Sequence, residues 1–174
     1  MTSKLPWRRA SVPSDLSARV PLMPGERILG WSRLPDGGWS VATGEALLIA
    51  AQGAGTDEQP LRLPWHLVST GVWADGALDV VATPQGDARP ERFHLEIDEE
   101  GLLAEAVHTL VTGSIAWSSR VSDDTAAATF SARRVPDGEL LWSVAFDRGF
   151  DSAHPDLQRW ADQQIQRLLE QTGL

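Results

Sequence analysis

A mainly β fold of the α+β class, built from antiparallel strands and completed by amphipathic helices, is what this sequence predicts. Three observations carry that expectation. From Glu26 onward the chain is a series of short runs alternating apolar and polar residues, separated by turn signals. Asp-Gly occurs at 36–37, 75–76 and 137–138, and this dipeptide tolerates the positive φ angles of tight hairpins. In two stretches, 102–111 and 157–169, the apolar spacing changes to a helical period.

Residues 1–25 hold prolines at 6, 13, 21 and 24 without sustained periodicity, so they read as an extended, Pro-rich basic arm. Residues 1–34 carry Lys4, Arg8, Arg9, Arg19, Arg27 and Arg33 against Asp15 and Glu26, whereas the whole chain has a net charge of −9. With Leu5 and Trp7 as anchors, the arm is expected to dock on the acidic body. The main β domain spans 26–113, and 114–174 forms an extension of a β-meander and a helix packed on it.

Within the β domain, an Asp36-Gly37 two-residue turn pairs Leu34 with Trp39 and Trp31 with Ala42. Trp39 then joins Ile28, Leu34 and Val41, while Trp31 lies with Leu29 and Arg33 and becomes the exposed aromatic. In "LRLPWHLV", period-two alternation puts Leu61, Leu63, Trp65 and Leu67 on one face and Arg62 and His66 on the other; Pro64 marks an edge or bulged strand. An Asp75-Gly76 turn pairs Trp73 with Leu78 and Gly71 with Val80, so Trp65 and Trp73 are both expected in the core. "GAGTDE" at 53–58 reads as a hairpin loop. In "RFHLEI", Phe93, Leu95 and Ile97 face inward. Asp98 is the expected N-cap of a helix whose stripe is Leu102, Leu103, Ala106, Val107, Leu110 and Val111, with Gly113 ending it. The strands "SIAWSSRV", "AATFSARRV" and "ELLWSVAF" follow, then a helix from Pro155 to a stop at Gly173.

The stretches "RILGWSRLPDGGWSVATGEALLI", "LPWHLVSTGVWADGALDV" and "ARRVPDGELLWSVAFDRG" are similar to uncharacterised actinobacterial proteins with a pleckstrin-homology-like (PH-like) domain. Seven strands then one helix, over about residues 26–112, resembles that fold. The resemblance implies an antiparallel sandwich or barrel capped by a helix. It does not extend to inositol-phosphate binding, because the first hairpin offers only Arg33 beside Asp36 where lipid-binding members carry several basic residues. A high-GC bacterial source fits the fourteen arginines against one lysine.

The absence of cysteine excludes disulfides, thiolate metal sites and cysteine nucleophiles. Net negative charge disfavours nucleic acid, and no apolar run is long enough for integral membrane insertion. No export signal is read at the start, so a cytoplasmic location is expected. His66, His94, His108 and His154 lack metal-ligand spacing. Asp147, Asp151 and His154, with Asp156, form the best acidic group for a cation, but capping and turn formation account for the same residues. Arg120, Arg133 and Arg134 form a second group of interest, with Arg133 expected opposite Trp142 in cation–π geometry.

The function expected is therefore a non-catalytic module for a protein or peptide partner, without a cofactor, through Trp31, Arg33, His66, Arg133 and Arg134. Strand addition at an open sheet edge suits it. The alternatives are a small-ligand or lipid-binding domain and, third, a metal-dependent enzyme around Asp147, Asp151 and His154. A homodimer through the last helix or a sheet edge is left open.

Overall fold

A computed structural model describes residues 11–51, 59–83, 90–98, 101–135, 138–151 and 153–173. The chain divides into two compact units, Met1–Thr112 and Gly113–Leu174. The described residues are mainly β, in three antiparallel sheets.

In the first unit a short helix, α1 (Ser14–Arg19), precedes β1 (Ile28–Arg33), β2 (Trp39–Thr43), β3 (Ala46–Ala50) and β4 (Leu61–Pro64), which form one sheet in sequential order. A 3₁₀ turn at Trp65–Leu67 leads into β5 (Val68–Ala74), β6 (Ala77–Ala82) and β7 (Glu91–Glu96), a second sheet with β5 and β7 at its edges. Helix α2 (Leu103–Ser114) follows. Its Leu103, Ala106, Val107 and Val111 close a core with Ala42, Leu47 and Leu63 of the first sheet and Leu78, Val80 and Leu95 of the second.

Glycines set how closely α2 approaches both sheets. A Cβ on Gly30 of β1 would lie 2.8 Å from the Ala106 Cβ and 2.8 Å from the Leu102 carbonyl oxygen. One on Gly71 of β5 would lie 2.7 Å from Val107. The chain entering α2 is equally tight: Trp31 N–H donates to the Gly101 carbonyl at 2.9 Å, and a Cβ on Gly101 would stand 1.7 Å from the Trp31 oxygen. Leu102 accepts a left-handed φ of 56° there. The helix therefore starts at Leu103 rather than being capped by Asp98, and it runs past Gly113 to Ser114.

The hairpins show what a proline does to an Asp-Gly turn. Asp75-Gly76 is the expected two-residue turn, both residues at positive φ, with Trp73 opposite Leu78 and Gly71 opposite Val80. Asp36 has no positive φ, because Pro35 holds the preceding position at the φ of an ordinary turn. Gly37 supplies the left-handed residue (φ 82°), Gly37 N–H donates to Leu34, and Leu34 N–H donates to Gly38. The extra loop residue slips the register by one, so Trp31 faces Val41 and Arg33 faces Trp39. A slip of one residue exchanges faces. Trp31 thus joins Trp39, Val41 and Leu48 on the outer face of the first sheet, under Leu16 and Val20. Part of the stretch expected to be an extended arm is accordingly the helix α1; Leu5 and Trp7 lie outside the described residues, as does the expected loop at 53–58.

Glu26 ties this layer together. Its side chain, 3% exposed, pairs with Arg62 and accepts from Thr43 Oγ1 at 2.7 Å and Met23 N–H at 2.8 Å. Burial opposes ionisation, but the hydrogen bonds from Arg62, Met23 and Thr43 outweigh it and hold the carboxyl below its ordinary value of 4.5.

In the second unit, β8 (Ile115–Ser122), β9 (Ala127–Arg134) and β10 (Leu140–Phe146) form a meander with β9 central, followed by α3 (Pro155–Thr172). Phe130, Trp160, Ala161 and Leu168 are the centre of its core. Trp117 and Trp142 both stand opposite the small Ala132 and reach over it to a centroid distance of 5.6 Å. Trp160 Nε1 donates to Asp123 at 2.8 Å, and Gly173 ends α3 in the left-handed conformation. The third hairpin repeats the geometry of the first: Val135 N–H donates to Glu139 and Gly138 N–H to Val135. Pro136 and Asp137 lie outside the described residues.

Gly30→Ala is expected to lower stability by about 1–3 kcal/mol through overpacking. Gly113→Ala, on a helix position with open space around it, is expected to raise it by about 0.5–1 kcal/mol. Urea denaturation of the two variants checks both signs. For Glu26, whose folded pKa is depressed, the stabilisation is present above its ordinary pKa and is lost as pH falls toward the folded value. Glu26→Gln should cost about 1–3 kcal/mol at pH 7 and flatten the acid limb of a stability–pH curve.

Candidate functional site

At the end of β5 away from the 3₁₀ turn, the second sheet presents an edge that no described strand pairs. Ala74 and Ala77 close the two-residue turn, so 74/77 and 72/79 are the hydrogen-bonded pairs and the N–H and C=O groups of Gly71 and Trp73 point away from β6. Beside this edge runs a cleft of about 720 Å³, lined by β5 residues Gly71, Val72 and Trp73 and across from them by Leu102, Leu103, Glu105 and His108.

The cleft follows from the close packing of α2. Trp73 lies on the same face as Leu78 and Val80, which are buried, yet Trp73 is 46% exposed. Sitting in the edge strand, it has no outer strand among the described residues to cover it, and α2 crosses β5 at Gly71, two residues away. The indole thus becomes a wall of the cleft. Val72, on the opposite face, is 57% exposed. Trp73 in the core is therefore corrected, while Trp65 is buried as expected, its Nε1 donating to the Thr43 carbonyl at 2.9 Å.

A second, more polar cleft of about 640 Å³ adjoins the hairpin tip, lined by Arg33, Asp75, Asp79, His94, Glu96 and Asp98 among others. Asp98 borders both clefts. Arg33 pairs with Asp15 at 2.6 Å, and His94 Nδ1 lies 2.7 Å from Asp79. The Arg33 guanidinium, through its hydrogen bond, holds the Asp15 carboxyl below its ordinary pKa.

The five binding residues expected from sequence do not converge. Trp31 is buried, for the register reason above, and its Nε1 has no acceptor among the described residues. His66 is half-buried in the 3₁₀ turn, since the chain leaves the strand at Pro64. Arg133 is buried and donates to Ser114 Oγ at 2.5 Å, with burial drawing its pKa below the usual guanidinium value. It stands opposite Leu141, so the expected pairing with Trp142 is corrected. Arg134 is exposed on the other face of β9 from Arg133. Of the five, Arg33 alone borders either cleft.

The residues considered for a metal have other partners. Asp147 pairs with Arg120 at 2.5 Å, raising the arginine pKa; Asp151 accepts from Ala153 N–H; and His154 Nδ1 caps α3 by accepting from Asp156 N–H at 3.2 Å. Among the described residues no group of three or more His, Asp or Glu side chains could hold a metal ion, and no helix is long and apolar enough to cross a membrane.

Comparison with protein-family models, curated proteins and solved structures finds no significant match.

Because Trp73 is a half-exposed wall and Trp39 a core residue, their truncations should differ in kind. Trp39→Ala is expected to cost about 3–5 kcal/mol and Trp73→Ala less than about 1.5 kcal/mol. Denaturant midpoints of the two variants check the contrast.

Proposed function

We propose that the protein is a non-catalytic, PH-like module that binds an extended segment of a partner protein by strand addition along β5. Four strands, then three, then a helix support the PH-like reading. The observation that carries the binding mode is the coincidence of the unpaired β5 edge with an apolar cleft. An incoming strand would find the outward N–H and C=O groups of Gly71 and Trp73 for main-chain bonds. Its alternate side chains would enter the cleft against Trp73, Leu102 and Leu103. The module needs no cofactor and no proton donor for this. A second reading, a small-ligand site, draws on the same cleft volume, which lies within the range typical of such sites.

Affinity capture from a bacterial lysate with the wild-type chain and Trp73→Ala, followed by deuterium exchange on the captured complex, tests the proposal. Recovery should fall by about tenfold or more in the variant, and protection should centre on residues 71–74. Equal recovery by both chains, with protection elsewhere, overturns it. A small molecule retained in native mass spectrometry and displaced by Trp73→Ala would transfer the cleft to the second reading.

A further inference from the structure

We infer that the strand accepted by this cleft is cationic: an apolar side chain for the Trp73 wall, flanked by lysine or arginine. The inference rests on the strand-addition reading and adds the partner's charge to it.

The charges around the two adjoining clefts are unequal. Arg33, the arginine among the described residues bordering them, pairs with Asp15, and His94 Nδ1 lies 2.7 Å from Asp79. Of the carboxylates, Asp75 and Glu96 stand in the second cleft near the hairpin tip and Glu105 on the α2 wall of the first, while Asp98, where the clefts meet, is already engaged. His108 lies on the same wall, one helical turn after Ala104. The start of α2 would by itself favour an anion, but Glu105 in its first turn offsets that dipole. Apolar surface thus fills the middle of the groove, with the Glu105 carboxylate on its α2 wall and Asp75 beyond its hairpin end.

That arrangement selects by charge. A strand pairing with β5 sends alternate side chains to one face, so an apolar residue in the cleft has its neighbours along the rim. Lysine or arginine there meets opposite charge, whereas glutamate or aspartate meets like charge, an unfavourable juxtaposition that excludes acidic partners. The net charge of −9 acts in the same direction at longer range, speeding encounter with cationic segments.

The test uses the full chain, isotopically labelled, and two synthetic peptides with blocked ends. Both have a central tryptophan between threonines; one has lysines on either side and the other glutamates. The lysine peptide should shift the amide resonances of residues 71–74 and 102–108. It should bind at least about tenfold more tightly than its counterpart at low salt and lose that advantage at high salt. Glu105→Lys should erase the preference, and Glu105→Gln, a milder change on the helix surface, should reduce it. Equal binding of both peptides at residues 71–74, or preference for the glutamate peptide there, overturns the charge inference while leaving strand addition standing. Shifts confined to other residues, or none with either peptide, overturn both.

Discussion

Everything in the first unit is arranged around how near α2 can come to two sheets at once. The helix touches β1 at Gly30 and β5 at Gly71, and its lead-in crosses Trp31 at Gly101; at each place a methyl group would collide. Short separation lets Leu103, Ala106 and Val107 reach side chains from both sheets, and interiors packed at that density tolerate little change in volume. The left-handed Leu102 is the local cost of entering the helix so steeply.

The same closeness creates the site. A helix crossing β5 at a glycine covers the sheet there and leaves the next inward-facing residue, Trp73, only half covered. Had a larger residue stood at 71, the helix would ride higher and the indole would have no steep wall opposite it. The cleft is a by-product of tight packing beside an edge strand, and its chemistry comes from what lines it: one indole, two leucines, and Glu105 and His108 on the helix.

The strands and the two longer helices were legible in the sequence because alternation, helical period and Asp-Gly turns are local signals; the 75–76 hairpin, down to its partners, follows from them, whereas α1 and the 3₁₀ turn do not. What the sequence obscured was register. Pro35 and its counterpart Pro136 precede Asp-Gly in a way Ala74 does not. A fixed φ at that position selects a three-residue loop in the first hairpin, and one added residue moved Trp31 from surface to interior. The Arg133–Trp142 pairing failed through the same slip. The candidate site was less legible still. Trp73 carries a core-like pattern, and its exposure depends on where a helix thirty residues later in the chain happens to cross; Gly71, a strand residue without a side chain, was the available hint. Leu102, Glu105 and His108 were visible only as a helix stripe and its flank.

A strand edge that no described strand covers, bearing Trp73 and Val72, ordinarily invites a protein to polymerise on itself. A second copy approaching along β5 would carry its own Glu105 and Asp75 toward a groove that already holds those carboxylates. On the strand-addition reading, the charge that favours a cationic segment thus disfavours pairing between like molecules.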